Sequence, residues 1–183
     1  MKSYVDIRLM PDTEFTGAAV LEKLWVRWHA YLVTSGARLA VSFPQNSADG
    51  LGDVMRVHGD KDALAELVGS RWAKGVYDYI QIGSVSDVPA DARHCAVRRV
   101  QLKTNADRLR RRAERRGNLN AEQIETMFTA WNEQRYNCPF LRYHSASTGQ
   151  KAIIHLTHTI VDEAQHGDFN TFGLSRTATV PFF

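Results

Sequence analysis

The sequence is poor in cysteine and in long apolar segments, and both shortages narrow what the chain can be. Its two cysteines, Cys95 and Cys138, stand apart, so they indicate neither a disulfide framework nor a CxxC metal motif and favour a reducing compartment. No stretch approaches the roughly 18 apolar residues of a membrane span. Asp6 and Arg8 interrupt the start, where a signal peptide needs an apolar core. We therefore expect a soluble, cytoplasmic protein without membrane contact.

Common catalytic and metal-binding motifs are also missing. The sequence contains no GxSxG, HExxH or GxxxxGK[ST] segment, which excludes the hydrolases and kinases that those motifs define. His155 and His158 lie three residues apart in a predicted strand, where successive side chains alternate, so they are expected on opposite faces. Without a third ligand or a ligand-spaced motif, the sequence predicts no metal site.

Positive charge is concentrated in one segment of a chain whose net charge is only +3. Nine of the 23 lysine and arginine residues lie between Arg98 and Arg116, and the stretch NADRLRRRAERRGN contains six arginines but two acidic residues. On a helix, four of these arginines fall within an arc of about 100°: Arg108, Arg111, Arg112 and Arg115. Arginines four residues apart repel by a few tenths of a kcal/mol per pair, roughly, and an external polyanion would relieve that repulsion. The alternative is a solvated charged face.

The order of predicted elements changes near residue 90. Residues 1–90 read as strand, helix, strand, strand, helix and strand, in the segments SYVDIRLM, TGAAVLEKLWVRWHAYLVTSG, RLAVSF, DVMRVHG, DKDALAELVGS and YDYIQIGSV. This βαββαβ order predicts a ferredoxin-like (RRM-like) N-terminal domain. The layout is common among RNA-binding modules but has many unrelated functions, so it specifies no activity by itself.

Residues 91–183 form a second predicted unit that carries the arginine-rich helix. The strand HCAVRRVQLK precedes that helix, and a second helix begins near Asn120 and continues through Trp131. Strands are predicted around PFLRYHSAS, KAIIHLTHTI and the C-terminal FGLSRTATVPFF. The expected fold class is α+β, with this C-terminal α+β region following the ferredoxin-like domain.

Two kinds of side chain are candidates for chemistry. His29 lies about 80° around the first helix from Leu21, at the edge of the apolar stripe, where an imidazole can be packed and still reach a ligand. A partly buried histidine with a backbone partner is the alternative. Ser145 and Ser147, in HSASTGQ, share a strand face before a turn, and ordinary turn chemistry explains Ser147 at least as well as catalysis does.

Together these segments resemble the type I-F CRISPR repeat-processing endoribonucleases. The resemblance extends over nearly the whole chain and is carried by the helix histidine, the RVQ strand, NADRLRRRAERR, HSASTGQ and the GLS…VPFF ending. It implies cleavage of CRISPR precursor RNA at the 3′ base of the repeat stem-loop, without metal or cofactor, by 2′-hydroxyl attack that leaves a 2′,3′-cyclic phosphate. It also implies that the protein keeps its crRNA hairpin, joins the subunits of a type I-F surveillance complex and makes no DNA contact by itself.

The resemblance also implies roles for individual residues. It makes His29 the group that activates the 2′-hydroxyl and Ser145 the group that holds it. Arg99 and Gln101 become readers of purine edges at the base of the stem, because a guanidinium matches guanine and an amide matches adenine. The other implied RNA contacts are Arg108, Arg111, Arg112, Arg115, Arg116, Ser147 and Phe172.

Two positions depart from the family pattern. Phe172 stands where the family has a tyrosine, so a hydrogen bond from that side chain to the catalytic imidazole is missing. Ala152 stands near the place where family members can have an aromatic residue beside the scissile nucleotide. A hairpin-RNA scaffold without catalysis is therefore an alternative. A DNA-binding regulator is a third, disfavoured by the lack of a helix-turn-helix pattern and of a dimerisation zipper.

Overall fold

The computed structural model describes residues 1–101, 106–136, 138–144 and 149–183, leaving out the side chains of 106–109 and 131–136. Within these residues, two antiparallel sheets and four α-helices form a mixed fold, which confirms the predicted α+β class.

The first sheet occupies the N-terminal half of the chain. Its strands are β1 (Ser3–Leu9), β2 (Ala40–Ser42), β3 (Val54–Gly59), β4 (Ile80–Ile82) and the short β5 (Ser86–Asp87). Their order is β2-β3-β1-β4, every neighbouring pair is antiparallel, and β5 pairs with β1. The helices of this half are α1 (Gly17–Ser35) and α2 (Lys61–Gly69), and a 3-10 turn (Tyr77–Tyr79) precedes β4.

Helix α1 has well-defined ends and one buried face. The Thr16 hydroxyl accepts a hydrogen bond from the backbone N–H of Ala19, and Gly36 ends the helix in the left-handed conformation, donating to the Leu32 carbonyl. The predicted apolar stripe is confirmed, because the buried residues of α1 are Val20, Leu21, Leu24, Trp25, Trp28, Tyr31 and Leu32. His29 is half-buried at the edge of this stripe, as its position in the sequence indicated.

The second sheet and the two remaining helices lie in the C-terminal half. The strands are β6 (Arg93–Val100), β7 (Phe140–His144), β8 (Lys151–Val161) and β9 (Val180–Phe182), in the order β7-β8-β6-β9. Helices α3 (Ala106–Arg116) and α4 (Ala121–Tyr136) connect β6 to β7. The predicted strand at FGLSRTATVPFF is restricted to β9. Before β9, the Asn170 side chain accepts hydrogen bonds from the backbone N–H groups of Phe172 and Leu174, and the Ser175 hydroxyl accepts them from Thr177 and Ala178. Such local bonds compete with pairing in a sheet.

The two sheets share one hydrophobic core, and polar contacts also join them. The backbone N–H of Phe43 in the first half donates to His158 Nε2 in β8 at 3.1 Å. Arg56 pairs with Asp6 at 2.7 Å and donates to the Phe183 carbonyl at 2.8 Å. The predicted boundary near residue 90 falls between β5 and β6. Separate domains at 1–90 and 91–183 stay a prediction.

Two buried histidines near the contact between the sheets are neutral. His58 is fully buried, and its Nε2 lies 2.8 Å from the Ser42 hydroxyl. Burial, reinforced by the charge of Arg56, lowers the pKa of His58 to about 3. Burial likewise lowers the pKa of His158 to about 4. Neither ring has a partner for its Nδ1 within the described part of the chain.

These lowered pKa values predict that mild acid destabilises the fold. Below a pH of about 6.5 the unfolded chain protonates both histidines while the folded chain does not, so stability falls as the pH falls towards 4. Each histidine contributes a slope of about 1.4 kcal/mol per pH unit in this window. Urea unfolding at pH 7, 6 and 5 measures the effect, and His158→Gln should remove about half of the slope. Equal stability at pH 7 and pH 5 would contradict the prediction.

Candidate active site and nucleic-acid interface

His29 is held by the C-terminal segment through two contacts. Its Nδ1 lies 2.7 Å from the backbone carbonyl oxygen of Thr171, 142 residues later in the chain. Its ring stacks on the ring of Phe172, with centroids 4.0 Å apart and planes 9° from parallel. Because a carbonyl oxygen can only accept, this geometry requires the proton on Nδ1 and leaves the lone pair on Nε2. Half-buried His29 therefore has the tautomer and the access that a general base needs.

Phe172 is a packing element beneath the imidazole. Its ring stacks on Trp25 at 5.7 Å and receives the Tyr143 ring edge-on at 5.9 Å. Its backbone carbonyl accepts a hydrogen bond from the Trp28 indole at 2.9 Å. The hydroxyl that a tyrosine would supply is absent, and the Thr171 carbonyl is instead the group bonded to His29. RNA contact by Phe172 stays a prediction.

The end of β7 reaches the same side of α1 as His29. His144 Nδ1 lies 2.8 Å from the carboxylate of Glu22, which is two helical turns before His29 on α1. Tyr143 contacts Phe172, as described above. Ser145 and Ser147 follow immediately in sequence but lie outside the described residues, so their predicted roles stay predictions.

The predicted base readers lie at the end of β6. Arg99 and Gln101 are both exposed. In the second sheet, Arg99 of β6 is paired with Leu156 of β8, and Tyr143 of β7 is paired with Ala152 of β8. Ala152 and Leu156 are four residues apart on β8, so they lie on the same face of the sheet. Arg99 therefore lies on the same sheet face as Tyr143, the face that contacts the His29 site.

Helix α3 presents cationic side chains to solvent. Ala113 is buried, whereas the arginines at 110, 111, 112, 115 and 116 are exposed. Arg110 pairs with Glu114 at 3.5 Å and with Glu125 of α4 at 3.4 Å. Arg112 and Arg115 lie on the predicted cationic arc, away from that pairing. The side chain of Arg108 lies outside the described residues.

The histidines of β8 and the two cysteines are held by contacts within the fold. His158 accepts the hydrogen bond from Phe43, and His155 Nδ1 lies 3.5 Å from the Cys138 carbonyl. Cys95 and Cys138 are free and buried, and burial raises the pKa of the Cys95 thiol to about 11. Across the described ranges, no three metal-ligating side chains gather, and no helix has the length and apolarity to cross a bilayer.

Sequence reasoning did not identify three contributors to the site. They are the Thr171 carbonyl, which bonds His29 itself, the Trp28 indole N–H, which donates to the Phe172 carbonyl, and the Glu22 carboxylate, which pairs with His144. Asn170, followed three residues later by Gly173, is a recognisable turn pattern that could have indicated a bend before GLS. No local pattern indicates that the bend faces α1.

A chain that holds an oriented imidazole and also presents an exposed cationic helix has features typical of an enzyme that acts on a nucleic acid. Residues 4–183 match the model of a family described as CRISPR-associated protein (Cas_Csy4). The chain is 36% identical to the CRISPR-associated endonuclease Cas6/Csy4 of Pseudomonas aeruginosa (strain UCBPP-PA14), with both chains covered completely. It is 37% identical to the endonuclease of the same name from Escherichia coli (strain UTI89 / UPEC), again with full coverage of both. The chain therefore belongs to the Cas6/Csy4 family of CRISPR-associated endonucleases and is an enzyme of that class.

Proposed function

We propose that this enzyme is a metal-independent, cofactor-free endoribonuclease that cuts CRISPR precursor RNA at the 3′ base of the stem-loop in each repeat. The observation that carries the proposal is the hydrogen bond between His29 Nδ1 and the Thr171 carbonyl, because it leaves Nε2 as a proton acceptor. A 2′-hydroxyl placed at Nε2 is the matching substrate group, and only RNA has it.

The proposed reaction is an internal transesterification. Nε2 of His29 takes the proton of the 2′-hydroxyl, and the 2′-oxygen forms a bond to the adjacent phosphorus. The bond between phosphorus and the 5′-oxygen breaks, and the imidazolium proton is then available to that departing oxygen. The products are a 2′,3′-cyclic phosphate and a 5′-hydroxyl, so no water is consumed. Ser145 is proposed to hold the 2′-hydroxyl. The support is that the two residues before it in sequence, Tyr143 and His144, contact Phe172 and Glu22.

Recognition of the hairpin is proposed to be divided between two groups of residues. Arg99 and Gln101 read purine edges at the base of the stem. Helix α3 contributes phosphate and groove contacts, which fix the register of the RNA without reading its sequence. The proposed contacts on this helix are Arg108, Arg111, Arg112, Arg115 and Arg116. An A-form helix has a narrow major groove, but the groove opens at the end of a short stem and gives a helix access. Ser147 and Phe172 are proposed contacts close to the scissile nucleotide.

The wider assignment follows from the same family resemblance. We propose that the enzyme keeps its crRNA hairpin after cleavage, joins subunits of a type I-F surveillance complex in the cytoplasm and makes no DNA contact of its own. A ferredoxin-like arrangement of residues 1–90 is also proposed. Its support is the βαββαβ element order together with the strand order β2-β3-β1-β4.

A panel of three nucleic acids tests the proposed function. The hairpin is identified by sequencing RNA that copurifies with the protein, and it is compared with DNA of the same sequence and with RNA carrying one 2′-deoxy residue at the cleavage junction. We expect cleavage of the RNA alone, in the presence of EDTA, with a cyclic phosphate end. The deoxy-substituted RNA should bind equally well and remain intact. Cleavage of that RNA would contradict the mechanism, and tight binding without any cleavage would identify a scaffold.

A further inference from the structure

A tight turn at residues 170–174 presents the Thr171 carbonyl. The side-chain oxygen of Asn170 accepts hydrogen bonds from the backbone N–H groups of Phe172, at 2.9 Å, and Leu174, at 3.2 Å. The backbone N–H of Asn170 donates to the Leu174 carbonyl at 2.9 Å. Together with the backbone hydrogen bond from the Gly173 N–H to the Asn170 carbonyl, at 2.8 Å, the Asn170 side chain thus closes the turn around Thr171.

The same turn is fastened to α1 by a buried indole. Trp28 is completely buried, and its Nε1–H donates to the Phe172 carbonyl at 2.9 Å. Gly173 follows with a φ of +73°, and a Cβ at this position would come within 3.1 Å of Trp28 Cζ2 and 3.2 Å of the Leu39 carbonyl. The turn therefore lies directly against Trp28, the residue before His29 on α1, with no room for a side chain at position 173.

We propose that Asn170 and Trp28 are positioning residues for the catalytic histidine, an inference that rests on the proposed function. The group that bonds His29 Nδ1 is a main-chain carbonyl, so its direction depends on the turn that contains it. When the turn loosens, the imidazole loses its acceptor and populates the tautomer with the proton on Nε2. That tautomer cannot take the proton of a 2′-hydroxyl, because its lone pair is on the wrong nitrogen.

Asn170→Ala tests this proposal, because it removes both side-chain hydrogen bonds of the turn. We expect the single-turnover cleavage rate to fall about 10- to 100-fold while hairpin affinity stays unchanged, because the variant loses the alignment of the His29 imidazole and no contact with the RNA. Asn170→Asp keeps an acceptor oxygen in place and should restore most of the rate. Asp12 offers a matched control, since its carboxylate closes a similar turn by accepting from Glu14 and Phe15 before α1 begins. Asp12→Ala should cleave normally.

A second readout follows the histidine itself and needs no RNA. Nitrogen-15 NMR of the His29 ring distinguishes the two neutral tautomers, and we expect the proton on Nδ1 in the wild type and a mixture in Asn170→Ala. Trp28→Phe is an independent variant that keeps an aromatic ring but removes the indole N–H. It should shift the tautomer and the rate in the same direction, and it serves as the test should Asn170→Ala fail to fold.

The outcomes separate this inference from the proposed function. A proton on Nε2 in the wild type, or variants that fold and keep both the tautomer and the rate, overturns the positioning role even where His29→Ala is inactive. Conversely, a His29→Ala variant that cleaves normally overturns the proposed function. The NMR result still decides whether the turn sets the tautomer.

Discussion

Replacing His29 with alanine is expected to slow RNA cleavage by on the order of 10²-fold or more, with hairpin affinity nearly unchanged. The reason is the geometry of the imidazole, whose Nδ1 is bonded to the Thr171 carbonyl so that Nε2 acts as the proton acceptor. Removing a base that works in the transition state lowers the rate constant without removing a contact that holds the stem. Single-turnover cleavage and equilibrium binding of the same hairpin measure the two effects separately.

His166 provides the matched control, because it is an exposed histidine of the C-terminal half outside the site. His166→Ala should cleave and bind as the wild type does. Chelation by EDTA should leave the wild-type rate unchanged, since an imidazole performs the proposed step. Wild-type cleavage by His29→Ala, or loss of activity in EDTA that added Mg²⁺ restores, is incompatible with the mechanism.

The double substitution of Arg112 and Arg115 by alanine is expected to weaken hairpin binding by about 10²- to 10⁴-fold, because charge-assisted hydrogen bonds are worth roughly 1.5–3 kcal/mol each. Both arginines are exposed on α3, away from the ion pairs that Arg110 makes with Glu114 and Glu125. The slope of log K against log salt should fall by about 1.4 to 1.8 units, which corresponds to two released counterions. The melting temperature should change little, because alanine is a good helix former and like-charge repulsion is relieved.

Arg110→Ala is the comparison variant on the same helix. Its guanidinium is partly neutralised by two carboxylates, so we expect a smaller loss of affinity than for Arg112→Ala or Arg115→Ala alone. Arg99→Ala should differ in kind, weakening the native stem by roughly 1–3 kcal/mol and relaxing discrimination at one base pair. Equal affinity and equal salt slope in all of the α3 variants would mean that the RNA is held elsewhere.

Helix α1 and the strands of the first half could be predicted because their information is local. The apolar residues of α1 recur with the helical period, Gly36 stands where the helix needs a left-handed residue, and alternation identifies β1. The edge position of His29 followed from the same arithmetic. Its proposed catalytic role did not, since a half-buried imidazole has the same spacing whether or not it meets a substrate.

The C-terminal segment shows what local information omits. FGLSRTATVPFF is rich in β-branched and aromatic residues, yet the structure pairs only Val180–Phe182 in the sheet. Asn170 and Ser175 bind neighbouring N–H groups, and the direction of the resulting turns depends on packing against α1. The acceptor for His29 was unpredictable for a simpler reason. It is a main-chain carbonyl, and every residue type at position 171 has one.

The separation of 142 residues between His29 and Thr171 has a consequence for biosynthesis. A ribosome completes the first helix long before it adds the turn that orients the imidazole. In a nascent chain the Thr171 carbonyl can therefore reach His29 only after the arginine-rich helix has been synthesised. If His29 is the base as proposed, we expect cleavage to begin only when this turn has been synthesised and has packed against Trp28.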